Sequence, residues 1–408
     1  MKINSLSHSR FVIFKRKLTP KEESDYIDVL KKAKEKVSHE QNGKSVLIIH
    51  APSLPQKKEN NTGVGNIASK DGIMFIDFAK KYWGINEIQL LPMGQYHRVM
   101  STFPIYSGTS MNFGNHVIDV KQFVSENDFN KIVNTNKDNK AVNYYNVVLN
   151  DSIQEKVLKN LHENIPENLK SEFESYKKNI PQIIQRKSLY RALREIYNTN
   201  DYKYWGGYDA DLFNENIVSG DMRKKRISEI EKLKSDTIDF FCFKEFLAEK
   251  SFKQAKKQLN DMGIKLSGDM LCGFSYDEVW ANPQAFIPNM RNRWDLPVLN
   301  FGTEEAEKVF REKIKFYAQN FDGFRVDAAW QYVTPNYTDI NTKQLYRKNY
   351  GDKYLKIIDD EVKKVKGKDY DLKNISYEFT ADNSDFSQFQ ENGELKPFLK
   401  KTNENLYF

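Results

Sequence analysis

The sequence is poor in the residues that build disulfide frameworks and metal sites. Its 408 residues include two cysteines and six histidines. The cysteines, Cys242 and Cys272, form no Cys-x-x-Cys pair, and no two histidines stand four residues apart, as zinc-binding helices require. We therefore expect two buried thiols and no metal site.

Long apolar runs are also missing. None approaches the roughly 18 residues that a membrane-spanning helix needs. The first fifteen residues contain no apolar stretch of signal-peptide length. These absences predict a cytoplasmic protein that does not bind membranes.

Neither sign of charge dominates. The chain has 63 Lys and Arg residues against 56 Asp and Glu, a net charge of +7. The basic runs at 31–36 and 223–226 are followed closely by acidic residues, which is typical of charged helix faces rather than of a nucleic-acid-binding stripe. With 27 Phe and 22 Tyr the chain has ample material for a packed core, so we expect a globular protein without a nucleic-acid partner.

Short apolar runs alternate with segments of helical periodicity, which predicts the α/β class with parallel strands. Each apolar run is followed by polar residues, as expected where a buried strand ends. A helix is predicted over 22–37, and helical stretches are predicted over 69–83, 237–262, 304–320 and 345–365. The predicted strands are 45–50, 87–91, 264–268, 323–326 and 374–378.

Composition divides the chain into successive segments. Residues 1–45 read as a polar lead-in, 46–119 as the first two strands, 120–235 as a Lys- and Asn-rich helical insertion, and 236–402 as strands three to five with the segment after them. Residues 404–408, Glu-Asn-Leu-Tyr-Phe, match a protease-recognition linker used for protein expression, so we expect a tag remnant there.

The strongest chemical signal is an Arg and an Asp at the end of one predicted strand. Arg325 and Asp327 are two residues apart and therefore lie on the same face of the strand. A guanidinium beside a carboxylate favours its ionised form, which suits a nucleophile. A purely structural ion pair at a strand end is the alternative, and the spacing alone leaves both open.

Two further acids end neighbouring strands. Glu378 closes the last predicted strand, and a neighbouring pair of carboxyl groups is what a retaining glycosidase uses, although Glu378 could instead open a solvated loop. Asp269 ends the third strand and could hold a substrate hydroxyl. Its alternative role is to cap the following helix.

Several motifs, in the same order, resemble the amylomaltase family of 4-α-glucanotransferases in the α-amylase clan. No single motif is specific, but their order along the chain is. They are His50–Pro55 with Gly63–Gly65, Gln89–Gly94 with Tyr106–Ser107 and Gly114–Asn115, Phe243–Ala248, Gly263–Asp269, and Asp277–Pro283.

The resemblance implies a (β/α)8 TIM-type barrel, possibly incomplete, with the helical insertion between strands 2 and 3 covering a sugar cleft. It implies retaining transfer or hydrolysis of α-1,4-glucans without a cofactor, with an α-glucan or maltooligosaccharide as substrate.

By this resemblance Asp327 is the nucleophile, Glu378 the general acid/base, and Arg325 the residue that orients the nucleophile. It places the remaining candidates along or behind the cleft: Tyr106, Asp269, Gln89 and Trp280. For Gln89 and Trp280, packing in the core behind the cleft is the alternative role. We also expect Trp205, Tyr208 and Asp209 to approach the cleft.

The sequence departs from the family pattern at several places. Ala328 stands where the family has His after the nucleophile, and Phe379 where it has Asp after the general acid. A third catalytic carboxylate lies further along in the family than this sequence extends, and strands six to eight cannot be identified. The resemblance thus implies weak or no activity for this chain alone, and a non-catalytic glycan-binding or protein-interaction module remains the alternative function.

Overall fold

The computed structural model describes residue 28 and residues 45–95, 108–140, 142–143, 152–378 and 406–407. Tyr106 lies outside these residues, as does the helix predicted over 22–37 except for Asp28.

A parallel sheet is the centre of the fold. Its strands are β1 (Val46–Ile49), β2 (Glu87–Leu90), β3 (Lys265–Met270), β6 (Gly323–Val326) and β9 (Ile375–Glu378), and they are hydrogen-bonded in this order. All five predicted strands are confirmed. A short strand, β10 (Leu406–Tyr407), lies parallel to β9. Within the described residues β1 and β10 are the edges of the sheet, so its closure into a barrel is not observed.

Helices connect the parallel strands, as parallel pairing requires. The first, α1 (Lys70–Trp83), starts at the predicted position because the Ser69 hydroxyl accepts a hydrogen bond from the amide of Gly72. It ends at Gly84, whose φ of 73° is the left-handed conformation that glycine adopts without strain. The chain is thereby turned directly into β2.

The described part of the segment between β2 and β3 is mainly helical. Its longest described helix, α7 (Ser235–Asp261), packs against α5 (Gln182–Tyr197) and buries one face that includes Phe243, Phe246 and Phe252. None of the described helices combines the length and apolar character needed to cross a bilayer. The helices of this segment are α2 (Glu126–Asn136), α3 (Ile153–Glu163), α4 (Glu167–Lys177), α5 (Gln182–Tyr197), α6 (Gly220–Leu233) and α7 (Ser235–Asp261).

The remaining helices follow the strands of the second half. They are α8 (Tyr276–Ala281), α9 (Glu304–Asn320), α10 (Trp330–Val333) and α11 (Lys353–Lys366). The helix predicted over 304–320 is confirmed at both ends.

A second, antiparallel sheet was not predicted from the sequence. Its strands are β4 (Phe286–Arg291), β5 (Pro297–Leu299), β7 (Asn336–Asp339) and β8 (Leu345–Arg347), in the order β5-β4-β7-β8. The prediction of a helix starting at Leu345 is wrong, because residues 345–347 pair with β7 and the helix begins only at Lys353.

Both cysteines are free thiols. Cys242 is buried and Cys272 is half-buried. The expectation of buried thiols therefore holds for the first and only partly for the second.

Candidate active site

One guanidinium group joins three carboxylates at the carboxyl ends of β3, β6 and β9. Arg325 Nη1 lies 2.5 Å from Asp269 Oδ1, and Nη2 lies 2.8 Å from Asp327 Oδ1. The same Nη2 donates to Glu378 Oε2. The structure thus brings together the four residues that the sequence placed at strand ends, and we call them the Arg325 cluster.

Strand register explains this convergence. Asp269 on β3 is paired with Arg325 on β6, and Arg325 in turn with Ser376 on β9. The Asp327 amide donates to Met270 O at 3.0 Å, and the Ala329 amide donates to Glu378 O at 2.7 Å. These bonds hold the residues beyond β6 between the two neighbouring strands. Since Asp269 lies inside β3 and Ser275 is the N-cap of the next helix, the structure does not support the alternative helix-capping role of Asp269.

The carboxyl groups of Asp327 and Glu378 are held close together by one nitrogen atom. Both accept hydrogen bonds from Nη2 of Arg325, so their accepting oxygens lie within about two hydrogen-bond lengths, roughly 6 Å. Glu378 is thus held in the cluster by Arg325 and does not simply open a loop, although 22% of its side chain remains exposed.

Burial and negative charge oppose the ionisation of Asp327. Desolvation and the neighbouring Asp269 carboxylate raise the pKa of Asp327 to about 8, although the Arg325 guanidinium acts in the opposite direction. We expected Arg325 to keep Asp327 ionised, but one cation cannot balance three clustered acids. Asp327 therefore holds a proton at neutral pH in the free chain.

The backbone is strained directly after Asp327. Ala328 has a φ of 45°, in the left-handed region that residues with a Cβ rarely adopt. Its amide points toward Glu378 and lies 3.4 Å from Oε2. Strained backbone of this kind clusters at functional sites, where the surrounding structure maintains it.

Two buried residues of α9 support the cluster from behind, and sequence reasoning missed both. Tyr317 donates its hydroxyl to Asp269 O at 3.0 Å. Lys313 donates to Leu271 O and, at 2.8 Å, to Gly273 O, and burial lowers its pKa to about 8. The available signal was a lysine and a tyrosine four residues apart on the apolar face of an amphipathic helix.

Another buried ion pair joins helix α5 to helix α8, and its acid also holds the loop after β2. Lys187 Nζ lies 2.9 Å from Glu278 Oε1, and both side chains are almost completely buried. Glu278 also accepts from the amides of Ser110 and Met111 and from the Ser110 hydroxyl. These contacts fix the described part of the loop next to β2, and no sequence pattern predicted them.

Gln89 and Trp280 are both buried. Gln89 lies on β2 with 6% of its surface exposed, and Trp280 on α8 is 1% exposed. The Trp280 indole donates to Asp209 O at 2.8 Å and packs edge-on against Trp205 and Phe213. These contacts match the packing alternative, and a direct sugar contact by either residue remains a prediction.

Trp205, Tyr208 and Asp209, which we expected near the cleft, differ from one another in burial. Trp205 is buried against Tyr190 and Trp280, and Asp209 is buried in an ion pair with Arg226 at 2.7 Å. Tyr208 keeps 36% of its surface exposed. Of the three, only Tyr208 has substantial surface available to a ligand.

An exposed tryptophan that the sequence analysis overlooked lies near the cluster. Trp294, between β4 and β5, is 38% exposed, and its ring centre is 6.0 Å from that of Trp330. Trp330 begins helix α10 three residues after Asp327. The Arg293 guanidinium lies over both rings. The sequence feature that could have identified Trp294 is a tryptophan within an otherwise polar turn.

In the described part of the chain, no group of three or more His, Cys, Asp or Glu residues is arranged to hold a metal ion. The three acids of the Arg325 cluster converge on a guanidinium instead.

Comparison with known proteins gives a consistent result. Residues 49–381 match the family model described as 4-alpha-glucanotransferase. The chain is 23% identical over 316 residues to the chloroplastic/amyloplastic 4-alpha-glucanotransferase of Solanum tuberosum. The matched region covers 69% of this chain and 51% of that protein. The chain thus spans about half the length of this curated relative.

Solved structures share the fold at low identity. The amylomaltase from Streptococcus agalactiae in complex with acarbose matches with a TM-score of 0.66 and 18% identity, over 86% of this chain and 72% of that one. The amylomaltase from Corynebacterium glutamicum matches with a TM-score of 0.61 and 12% identity, over 88% and 51%. The family match covers well over half of the sequence, and the chain belongs to the 4-alpha-glucanotransferase family.

Proposed function

We propose that the chain transfers glucosyl units between α-1,4-glucans by a retaining mechanism, with Asp327 as nucleophile and Glu378 as general acid/base. The observation that carries this proposal is the proximity of these two carboxyl groups at Arg325. Retaining enzymes hold their two acids about 5 to 5.5 Å apart, whereas inverting enzymes need about 6.5 to 9.5 Å for a water. The observed proximity favours the retaining class.

We further propose that the parallel sheet belongs to a (β/α)8 barrel and that residues 120–235 lie over its catalytic face. The similarity to two amylomaltases in structure supports the first part. Catalytic residues of such barrels lie at the carboxyl ends of the strands, which is where Asp269, Asp327 and Glu378 lie. The hydrogen bond from Trp280 to Asp209 ties residues 120–235 to a helix that follows β3.

In the first step the ionised Asp327 attacks the anomeric carbon of the bound glucosyl unit. The bond from that carbon to the glycosidic oxygen breaks, and Glu378 donates its proton to this oxygen. Because burial and Asp269 keep a proton on Asp327 in the free chain, we propose that this proton passes to the neighbouring Glu378 before Asp327 attacks. The product is a glucosyl ester of Asp327 and a shortened glucan with a new hydroxyl group.

In the second step the ionised Glu378 removes a proton from the 4-hydroxyl of an acceptor sugar. The acceptor oxygen attacks the anomeric carbon and displaces Asp327, so the configuration is retained. Water in place of the acceptor would give hydrolysis.

Arg325 has two roles in this proposal. It keeps Asp327 oriented, and in the free enzyme it also contacts Glu378. A glucosyl unit cannot enter between the acids while Glu378 is bonded to Arg325, so Glu378 must rotate away when substrate binds. Its exposed fraction of 22% leaves room for this rotation.

Substrate binding is proposed for Asp269, Gln89, Trp280 and Tyr106, as the family resemblance implies. Asp269 is oriented by Arg325 and by Tyr317, which bonds its backbone carbonyl, and could accept a sugar hydroxyl. The amylomaltase in complex with acarbose shows a related protein with an oligosaccharide inhibitor, and we propose acarbose as a ligand of this chain.

The test is incubation with maltotriose, followed by chromatography of the products. Transfer gives both longer and shorter oligomers, and simple hydrolysis gives only glucose and maltose. Asp327→Asn should abolish the redistribution without lowering the melting temperature. Asp322→Asn is the matched control, because Asp322 lies beside the same strand and its carboxylate bonds Asn260 and Leu266 outside the cluster.

Two results would contradict the proposal. If the products are unchanged by Asp327→Asn, another group is the nucleophile. If the chain binds acarbose but leaves maltotriose intact, it is a glycan-binding relative and not an enzyme.

A further inference from the structure

A cavity of about 210 Å³, lined by both polar and apolar groups, lies apart from the Arg325 cluster. It is enclosed by the loop after β1, the start of α1, residues 116–122, and parts of α2 and α3. Neither Arg325 nor the three acids around it line the cavity. A ligand here would therefore be bound independently of the proposed reaction.

A buried carboxylate oxygen in the cavity wall lacks a hydrogen-bond partner. Asp71 is 8% exposed, and its Oδ2 accepts from the Lys57 amide at 2.8 Å and from Asn60 Nδ2 at 3.0 Å. No described group donates to its Oδ1. A buried acceptor without a donor is costly, so this oxygen calls for an N–H or O–H group from a bound molecule.

The rest of the cavity wall offers both donors and acceptors. The side-chain amides of Asn66 and Gln154 are buried there, and each uses one N–H group to bond a backbone carbonyl and has a second N–H group for a ligand. The ring of Phe129 contributes an apolar surface. Asp119 is a second carboxylate, and burial raises its pKa to about 6. Amides and carboxylates beside an aromatic ring form a wall that suits a molecule with several hydroxyl groups.

Charge and size restrict the class of ligand. Two acids, Asp71 and Asp119, are balanced by two lysines, Lys70 and Lys121, so the cavity does not favour an ion of either sign. Its volume exceeds by more than tenfold the roughly 10–15 Å³ that one water needs. A cavity of roughly 150 Å³ is enough for benzene, so one six-membered ring with hydroxyl groups fits.

We propose that this cavity is a binding site for one neutral pyranose sugar, such as free glucose, separate from the candidate active site. Asp71 Oδ1 accepts a hydrogen bond from a sugar hydroxyl, and the buried amides bond neighbouring hydroxyls. Free glucose is also the smallest product that disproportionation of short maltooligosaccharides releases. Binding of glucose at this site does not depend on catalysis by the Arg325 cluster.

The experiment is calorimetric titration of the chain with glucose, with maltose and maltotriose as longer probes. Asp327→Asn with Glu378→Gln disables the Arg325 cluster, and glucose binding should persist in this double variant. Asp71→Asn should weaken it by about tenfold or more, as expected for the loss of a charge-assisted hydrogen bond. Asp77→Asn, an equal charge change on an exposed residue of the same helix, should leave it unchanged.

A second variant covers the possibility that Asp71→Asn disturbs the loop. Thr62→Trp places a large side chain at the cavity wall from a half-exposed position, and it should abolish glucose binding while preserving the melting temperature. The inference is overturned if glucose does not bind, if both cavity variants bind it normally, or if only the double variant loses it. Heat from CaCl2 but not from glucose would identify a cation site instead.

Discussion

Asp327 and Glu378 end neighbouring parallel strands and bond to the same nitrogen atom, Nη2 of Arg325. The register of β6 against β9 brings them together, since Val326 is paired with Tyr377 and each acid is the next residue along its strand. A one-residue slip would turn one acid to the opposite face of the sheet. The proposed chemistry therefore depends on how these two short strands pair.

We expect Arg325→Lys to lower kcat by roughly 10²- to 10³-fold, as for the loss of one preorganised electrostatic stabiliser. The guanidinium of Arg325 contacts Asp269 through Nη1 and both other acids through Nη2. A lysine has a single ammonium nitrogen and cannot make all of these contacts. Maltotriose kinetics check this. Arg311→Lys, which changes a partly exposed contact with Glu361, should keep full activity, and equal rates for the two variants would contradict the assigned role.

The raised pKa of Asp327 predicts a pH-dependent stability effect of Asp327→Asn. The pKa is about 8 in the folded protein against an ordinary value of 3.8. The folded state therefore holds a proton that the unfolded state has released, and the free energy of unfolding falls as pH rises from about 4 to 8. Asn removes this penalty, so the gain in melting temperature over the parent should grow across this range.

Thermal unfolding of both proteins at pH 4.5, 6.5 and 8.5 checks this prediction. A difference in melting temperature between the two proteins that does not change with pH would show that Asp327 ionises normally in the folded chain. A variant that is both more stable and inactive would fit an active site whose clustered charges cost stability.

The sequence predicted the parts of this fold whose signals are local. The five parallel strands are short apolar runs, and the helix at 304–320 is bounded by Thr303 and by the strand that follows it. The three acids and Arg325 were identifiable because each stands at the end of such a run. Their mutual contact then follows from the geometry of parallel strands.

The features that the sequence did not reveal depend on contacts between distant segments. Strands β4 and β8 contain exposed polar residues and have no clear alternation, so only their pairing with neighbouring strands defines them. Lys313 looks like a surface residue until its helix packs behind β3, where its ammonium meets two backbone carbonyls. The protonation of Asp327 was misjudged for the same reason, since burial and Asp269 outweigh the adjacent Arg325.

Gly323 should be intolerant of any side chain. A Cβ at this position would lie 2.2 Å from Asn374 O, a backbone atom that cannot move without shifting β9. We expect Gly323→Ala to cost about 1–3 kcal/mol of stability and to lower activity, because β9 carries Glu378. Gly220→Ala is the matched control, since nothing lies within 4 Å of its Cβ and it begins helix α6. The prediction is wrong if both variants unfold at the same denaturant concentration.

Two histidines near the end of β1 should make the chain sensitive to acid. Burial lowers the pKa of His50 to about 4, and burial together with His50 lowers that of His116 to about 3, against an ordinary value of 6.5. Both stay neutral in the folded chain while the unfolded chain takes up protons below about pH 6.5. Stability that is fully present above this pH is thus lost as the pH falls toward 3 to 4, with a slope of up to about 1.4 kcal/mol per pH unit for the fully buried His116.

Urea unfolding between pH 7 and 4.5 measures this slope, and His116→Gln should reduce it whatever its effect on absolute stability. His50→Gln is the second variant, because the His50 ring bonds the Ser53 hydroxyl at 2.7 Å and its charge would also affect His116. If neither substitution flattens the pH dependence, the acid sensitivity arises from other groups and the two imidazoles titrate normally in the folded protein.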